Sequence, residues 1–293
     1  MPGKPPQETA MPEKSAISTE KRVVFRIFAC YSLFLFILKP VFAEKPAPGR
    51  PWGDPPPELW FPVGEEVEYE VFWGMFTVGE ATAKAEWLNR EGRRLLTLTV
   101  RAQSNGIVEK LYPVKEFLQT VLDPETFLPL SFEKESHEGK RHYHELTTFD
   151  HAAQKGHWKS LLKNKQKEFE IEADTRDLMG LMYWLRKDPI RENETRHYHV
   201  MTDEKMYELV VAAGKKDMVS LANYGKVPCI KMEPKGKFNG MFVRKGRMFL
   251  WVSDDARYTI CRATASVPVA SIKIMLKRVR GPGDDFWTQA DNP

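Results

Sequence analysis

Between Glu66 and Trp87 the side chains alternate with period 2 around a glycine, and few backbones accommodate that pattern. Val67, Tyr69, Val71 and Trp73 fall on one side of an extended chain, and Glu66, Glu68 and Glu70 fall on the other. A half-buried antiparallel strand supplies one dry face and one wet face in this way. Gly74 breaks the run, and Ala81, Ala83, Ala85 and Trp87 return against Thr82, Lys84 and Glu86. The stretch predicts a β-hairpin with Gly74 at positive φ in its turn. Gly79 marks a bulge or a close backbone approach, because the apolar phase shifts from Phe76 and Val78 to Ala81 and Ala83.

The rest of the chain continues in the same manner. Leu96, Leu98, Val100 and Ala102 alternate with polar residues, and further strands are expected over 117–122, 128–133 and 141–149. Their connections are too short for crossover helices, so they should form an antiparallel meander. After Thr195 the strands resume over 196–201, 206–212, 218–221, 227–233, 248–252, 258–263 and 271–279. Between the two series one helix is expected from Arg176 to Arg186, capped by Thr175 or Asp174 with Asp177 in its first turn. It is apolar nearly all round, so it should be buried. About a dozen strands leave edges and an uncovered apolar face unless they curl. The expected fold is all-β, mainly antiparallel, a strongly curved sheet or incomplete barrel with one buried helix near 176–186. The lysine-rich stretch from Ala152 to Lys167 reads as a hairpin guarding a sheet edge.

Four segments are expected: a signal peptide over 1–43, a proline-rich tether over 44–60, a single β-rich domain over 61–279 and a tail over 280–293. In the leader a basic approach precedes an apolar run, and Val41-Phe42-Ala43 stands before Glu44, as a signal peptidase requires. The uninterrupted part, Ile27 to Leu38, falls short of the ~20 residues that span a bilayer, so membrane attachment is expected only through an uncleaved leader. The leader holds six of the 44 basic and three of the 40 acidic residues. The mature part is left at 38 basic against 37 acidic, a balance that gives no support to a nucleic-acid partner. Its two cysteines, Cys229 and Cys261, lie in apolar strands and are read as buried thiols in preference to a bridge.

Three stretches carry a family resemblance. Phe61-x-Val63-Gly64-Glu65-x-x-x-Tyr69-x-Val71-x-Trp73-Gly74 with Val78-Gly79-Glu80-Ala81 resembles the opening of the domain-of-unknown-function 3108 family of exported bacterial proteins. Asp177-Leu178 with Tyr183-Trp184-Leu185-Arg186 is similar to its helical segment, and Trp251-Val252-Ser253-Asp254-Asp255-Ala256-Arg257 to a late strand and turn. The likeness runs over residues 61 to 279. It departs at Tyr258-Thr259-Ile260, where the family has proline and valine, and near Ala270, where it often has glycine. It implies an exported, β-rich domain of the cell envelope, and no reaction.

His142-Tyr143-His144 and His197-Tyr198-His199 each place two imidazoles on one face of a strand, a spacing that chelates a metal if the strands are neighbours, with His137 as a further ligand. No metal or other cofactor is assigned on this basis. Asp254-Asp255 follows a strand end and reads as turn chemistry. The sequence holds no nucleophile elbow, P-loop, dinucleotide fingerprint or C-x-x-C. The leading expectation is a non-catalytic periplasmic or outer-envelope protein that binds an apolar or amphipathic ligand, such as a lipid or a glycoconjugate. Trp73, Trp87, Met182, Tyr183 and Trp184 are its candidate contacts. The alternatives are an interaction scaffold without a small ligand, whose protein partner the sequence does not identify, and a metal-dependent enzyme.

Overall fold

Period-2 patterning becomes paired strand along most of the chain. The structure, a computed structural model, describes residues 50–202, 205–238, 241–242, 247–267 and 270–282. The signal peptide, the start of the tether and the end of the tail lie outside the described residues.

The first meander consists of β1 (Arg50–Pro51), β2 (Glu66–Trp73), β3 (Phe76–Arg90), β4 (Arg93–Ser104), a short helix α1 (Gly106–Leu111), β5 (Val114–Leu122), β6 (Pro129–Glu138), β7 (Arg141–Asp150), β8 (Lys155–Ser160) and β9 (Gln166–Glu170). Next come β10 (Arg176–Asp177) and α2 (Leu178–Trp184). The second meander contains β11 (Thr195–Thr202), β12 (Lys205–Leu221), β13 (Gly225–Phe238), β14 (Met241–Phe242), β15 (Arg247–Ser253), β16 (Ile260–Val267) and β17 (Ala270–Arg280). Within each meander most successive strands pair antiparallel; β1 instead pairs with β4, and β13 pairs with both β14 and β15. β17 pairs with β2, so the two meanders join in one sheet. Among the described residues the parallel pairing is that of β10, whose two residues run alongside β11. The sheet curls until β9 nears β12 and β10 nears β6, without closing into a barrel. An incomplete, mainly antiparallel barrel is therefore the observed architecture.

The helix is shorter than its apolar run. Residues 176 and 177 are extended, and Asp177 is the N-cap instead of a first-turn residue. Its Oδ1 accepts hydrogen bonds from the Met179 and Gly180 amides at 2.9 and 3.0 Å and from the Thr120 hydroxyl at 2.8 Å. α2 lies between the two halves of the sheet. On one side Leu181 and Leu185 pack with Val200, Val211, Ile230 and Val252, and on the other Met179 and Tyr183 pack with Leu96, Leu98, Leu122 and Phe127. Leu178, at the first turn, is exposed.

Two strands expected over 206–212 and 218–221 are one, β12. The polar Gly214–Asp217 interval is absorbed by a register shift against β13, so a run that looks like a turn is an exposed irregularity in a continuous strand. The tether also departs from free chain over its described part. Arg50–Pro51 pairs with Arg93 and Arg94, the Arg94 guanidinium collects the carbonyls of Trp52 and Asp54, and Leu59 and Trp60 pack on the core. Proline is tolerated there because the pairing is a two-residue margin with no central ladder to break.

The opening hairpin has its turn at Gly74, φ +60°, and its bulge where Val71 pairs with Gly79 and Phe72 with Thr77. The two glycines are required for different reasons. Gly74 has open space around it and is constrained by its backbone alone, whereas a Cβ on Gly79 would stand 2.5 Å from the carbonyl oxygen of Gln103. Gly74→Val is expected to cost at least ~1–2 kcal/mol more than Thr82→Val. Gly79→Ala should cost about 1–3 kcal/mol through forced backbone movement. Denaturant unfolding checks both, and equal midpoints for Gly74→Val and Thr82→Val would contradict the turn.

Candidate functional site

The inner face of the first meander changes character toward the hairpin tip. Val67 is buried, Tyr69 and Val71 are half-buried, and Trp73 is 41% exposed. Beyond Trp73 the tip presents Met75 and Phe76, 91% and 74% exposed. Beneath this apolar rim is a pocket of about 60 Å3 walled by Val71, Trp73, Val78, Val108, Val114 and Ile272.

Two carboxyls line that wall, Glu80 exposed and Glu116 buried. Glu116 lies on the inner face of β5, buried, and accepts a hydrogen bond from the Ser136 hydroxyl at 2.5 Å. Burial pushes it up to about 7, against the opposing pull of the Ser136 hydrogen bond and the Lys134 charge. At neutral pH this group divides between a neutral acid that donates a hydrogen bond and a carboxylate. An apolar slot with one such group suits a molecule with a chain and a polar head.

A second polar group sits deeper, at the foot of α2. Glu65 is wholly buried, and Arg186 grips it with two hydrogen bonds, Nη1 to Oε1 at 2.6 Å and Nη2 to Oε2 at 3.2 Å. The Arg186 guanidinium also lies 5.3 and 5.5 Å from the rings of Phe61 and Tyr183. Arg257 is buried close by; burial lowers its pKa and the Glu65 charge raises it in return. Burial holds the Tyr69 and Tyr183 phenols well above their ordinary range, so both stay neutral. This cluster ties the start of β2, the end of α2 and the turn after β15. Asp255 shapes that turn by accepting from the Arg257 amide and the Ser253 hydroxyl, the role expected of the aspartate pair.

The three stretches that carry the family resemblance therefore meet in one place. A model of a protein family of unknown function, DUF3108, matches residues 68–277, more than half of the chain. The chain belongs to that family. No curated protein matches it. The DUF3108 domain is similar in fold to the crystal structure of a beta-barrel-like protein of domain of unknown function DUF1849 from Brucella abortus. The two share 12% identity at a TM-score of 0.52, over 74% of this chain and 97% of that one.

The candidate contacts of the DUF3108 domain separate into two groups. Trp73 lines the rim pocket. Tyr183 is buried in the α2 core with Trp87 and Trp184 packed around it; Trp184 also meets Trp60 at 5.5 Å and stacks under the Arg176 guanidinium at 4.0 Å, while Met182 is half-buried on the same helix. The histidine triplets do not combine. β7 pairs with β6 and β8, and β11 with β10 and β12, so among the described residues the two triplets do not lie on neighbouring strands, as a four-imidazole zinc site needs. Each of these imidazoles instead meets a carboxylate: His142 Glu135, His144 Glu133, His197 Glu208 and His199 Asp174. Cys229 and Cys261 are buried free thiols of the core.

The outer face of β3 to β6 carries a polar trough of about 500 Å3 lined by Thr82, Arg101, Lys115, Glu135 and His137, among others; it adjoins the rim pocket, and Glu80, Ala102, Gln103 and Glu116 line both. Strand alternation predicts a wet face here, but not a concavity, which comes from the twist of four long strands.

Proposed function

We propose that this DUF3108 protein is an exported, non-catalytic envelope protein that takes an amphipathic lipid or lipid-linked molecule at the rim of its half-barrel. The apolar chain enters between Trp73, Val78, Val108 and Ile272, and Glu116 meets the polar end. Supporting this most directly is the contiguity of an exposed apolar tip, Trp73 to Phe76, with an apolar pocket containing one buried acid. At about 60 Å3 the pocket holds roughly two waters, so the chain enters by displacing a wall. The wall to move is α1, a helix of six residues entered through Gly106 at φ +55°.

Protein isolated from the cell envelope should begin at Glu44, and solvent extraction should release an amphipathic lipid detectable by mass spectrometry. The double variant Trp73→Asp/Phe76→Asp should fold normally, since both side chains are substantially exposed, and lose most of that lipid. Lipid absent from the native protein, or retained in full by the variant, would count against the rim as the site.

A further inference from the structure

We propose that Glu135, His137 and His142 bind a divalent transition metal of the zinc type at one end of the outer trough. The site is built by the β6–β7 hairpin. His137 and His142 stand directly opposite each other in the antiparallel register, and Glu135 shares their face one alternation away. The imidazoles stack with ring centroids 3.8 Å apart and an interplanar angle of 22°, and the His142 Nε2 lies 3.1 Å from the Glu135 Oε1. One ligand atom from each of the three falls within 4.8 Å of the others. Among the described residues this is the group in which three such side chains gather; His197 and His199 each meet one carboxylate.

Zinc binds imidazole nitrogen and carboxylate oxygen at roughly 2.0–2.2 Å, which in tetrahedral geometry sets ligand atoms about 3–3.5 Å apart. Reaching that spacing from 4.8 Å or less takes small χ rotations of exposed side chains. Two nitrogens and one carboxylate favour zinc, copper or nickel over magnesium or calcium, which prefer all-oxygen sets.

Three protein ligands leave a fourth position vacant. Glu135 and His137 both line the trough, together with Arg101 and Lys115. A bound ion would share the trough with these two cationic side chains, and its fourth ligand would be water or an oxygen of an anionic molecule lying there. None of the three proposed ligands lines the rim pocket, so zinc uptake is read separately from lipid binding even though Glu80 and Glu116 line both cavities.

Calorimetric titration of the untagged full chain with zinc chloride tests the site. One zinc per chain is expected with a dissociation constant in the micromolar range. His137→Ala and His142→Ala should each weaken it by about tenfold or more, and His197→Ala should leave it unchanged. Cobalt substitution should give visible absorption bands that both hairpin variants lose. Because His137 and His142 are exposed, the variants should keep the native melting curve. Absence of saturable zinc uptake, or uptake that survives both hairpin substitutions, would overturn the assignment.

Discussion

Arg186→Ala is expected to lower the unfolding free energy by about 3–5 kcal/mol, because it strands the Glu65 carboxylate in the core without its partner. The loss should exceed that of a surface arginine such as Arg247, whose pairing with Glu233 is largely exposed and worth at most about 1 kcal/mol. Glu65→Ala should cost a similar amount, and Glu65→Ala/Arg186→Ala should cost less than the two singles together, since the double change leaves no unpaired charge behind. Urea unfolding of the four proteins gives the answer. Additive losses would mean that the pair is not coupled.

Leu181→Ala should be nearly as damaging, at about 2–5 kcal/mol. Leu181 is 1% exposed and packs where α2 meets β11, β12, β13 and β15, so truncation opens a void between a helix and a sheet that are both pinned elsewhere. Asp177 holds the start of the helix and Arg186 its end, which leaves little freedom to collapse onto the cavity. Leu178→Ala, on the exposed first turn of the same helix, is the control and should stay within about 0.5 kcal/mol. Matched thermal and denaturant melts distinguish the two. Equal, small losses would place α2 outside the core.

Most of the fold is legible in the sequence because a half-buried strand writes its two faces as alternate residues. The hairpin around Gly74, the meander from β4 to β7 and the burial of α2 follow from that period and from a helix without a polar side. Positions where local pattern and tertiary context disagree were not legible. Asp177 reads as a first-turn acid and is the cap, because residues 176 and 177 pair with β11 instead of coiling. Gly214 to Asp217 reads as a turn and is a stretch of strand, since an exposed irregularity needs no apolar residues.

The candidate site was less legible than the fold. Arg186 did carry a signal: a charge at the end of an apolar helix must find a buried partner, and Glu65, just ahead of the alternating run, is in register to provide it. Glu116 shares the parity of Leu118, Thr120 and Leu122, which marks it as an inward acid. The rim pocket carried no such signal, because Val71, Val108 and Ile272 come from three distant segments, brought together by the pairing of β17 with β2 and the packing of α1 on β3. The histidine spacing was visible, but which strands are neighbours was not, so the cluster that forms draws on His137 and Glu135.

Fluorescence titration with a bromine-labelled fatty acid tests ligand binding at the rim most directly, since bromine quenches only nearby indoles. The native protein, with eight tryptophans, should show saturable quenching of part of its emission, and Trp73→Phe should lose most of that quenched fraction while keeping its melting temperature. Quenching that never saturates, or that is unchanged in Trp73→Phe, would contradict a chain-binding site at the rim of the half-barrel.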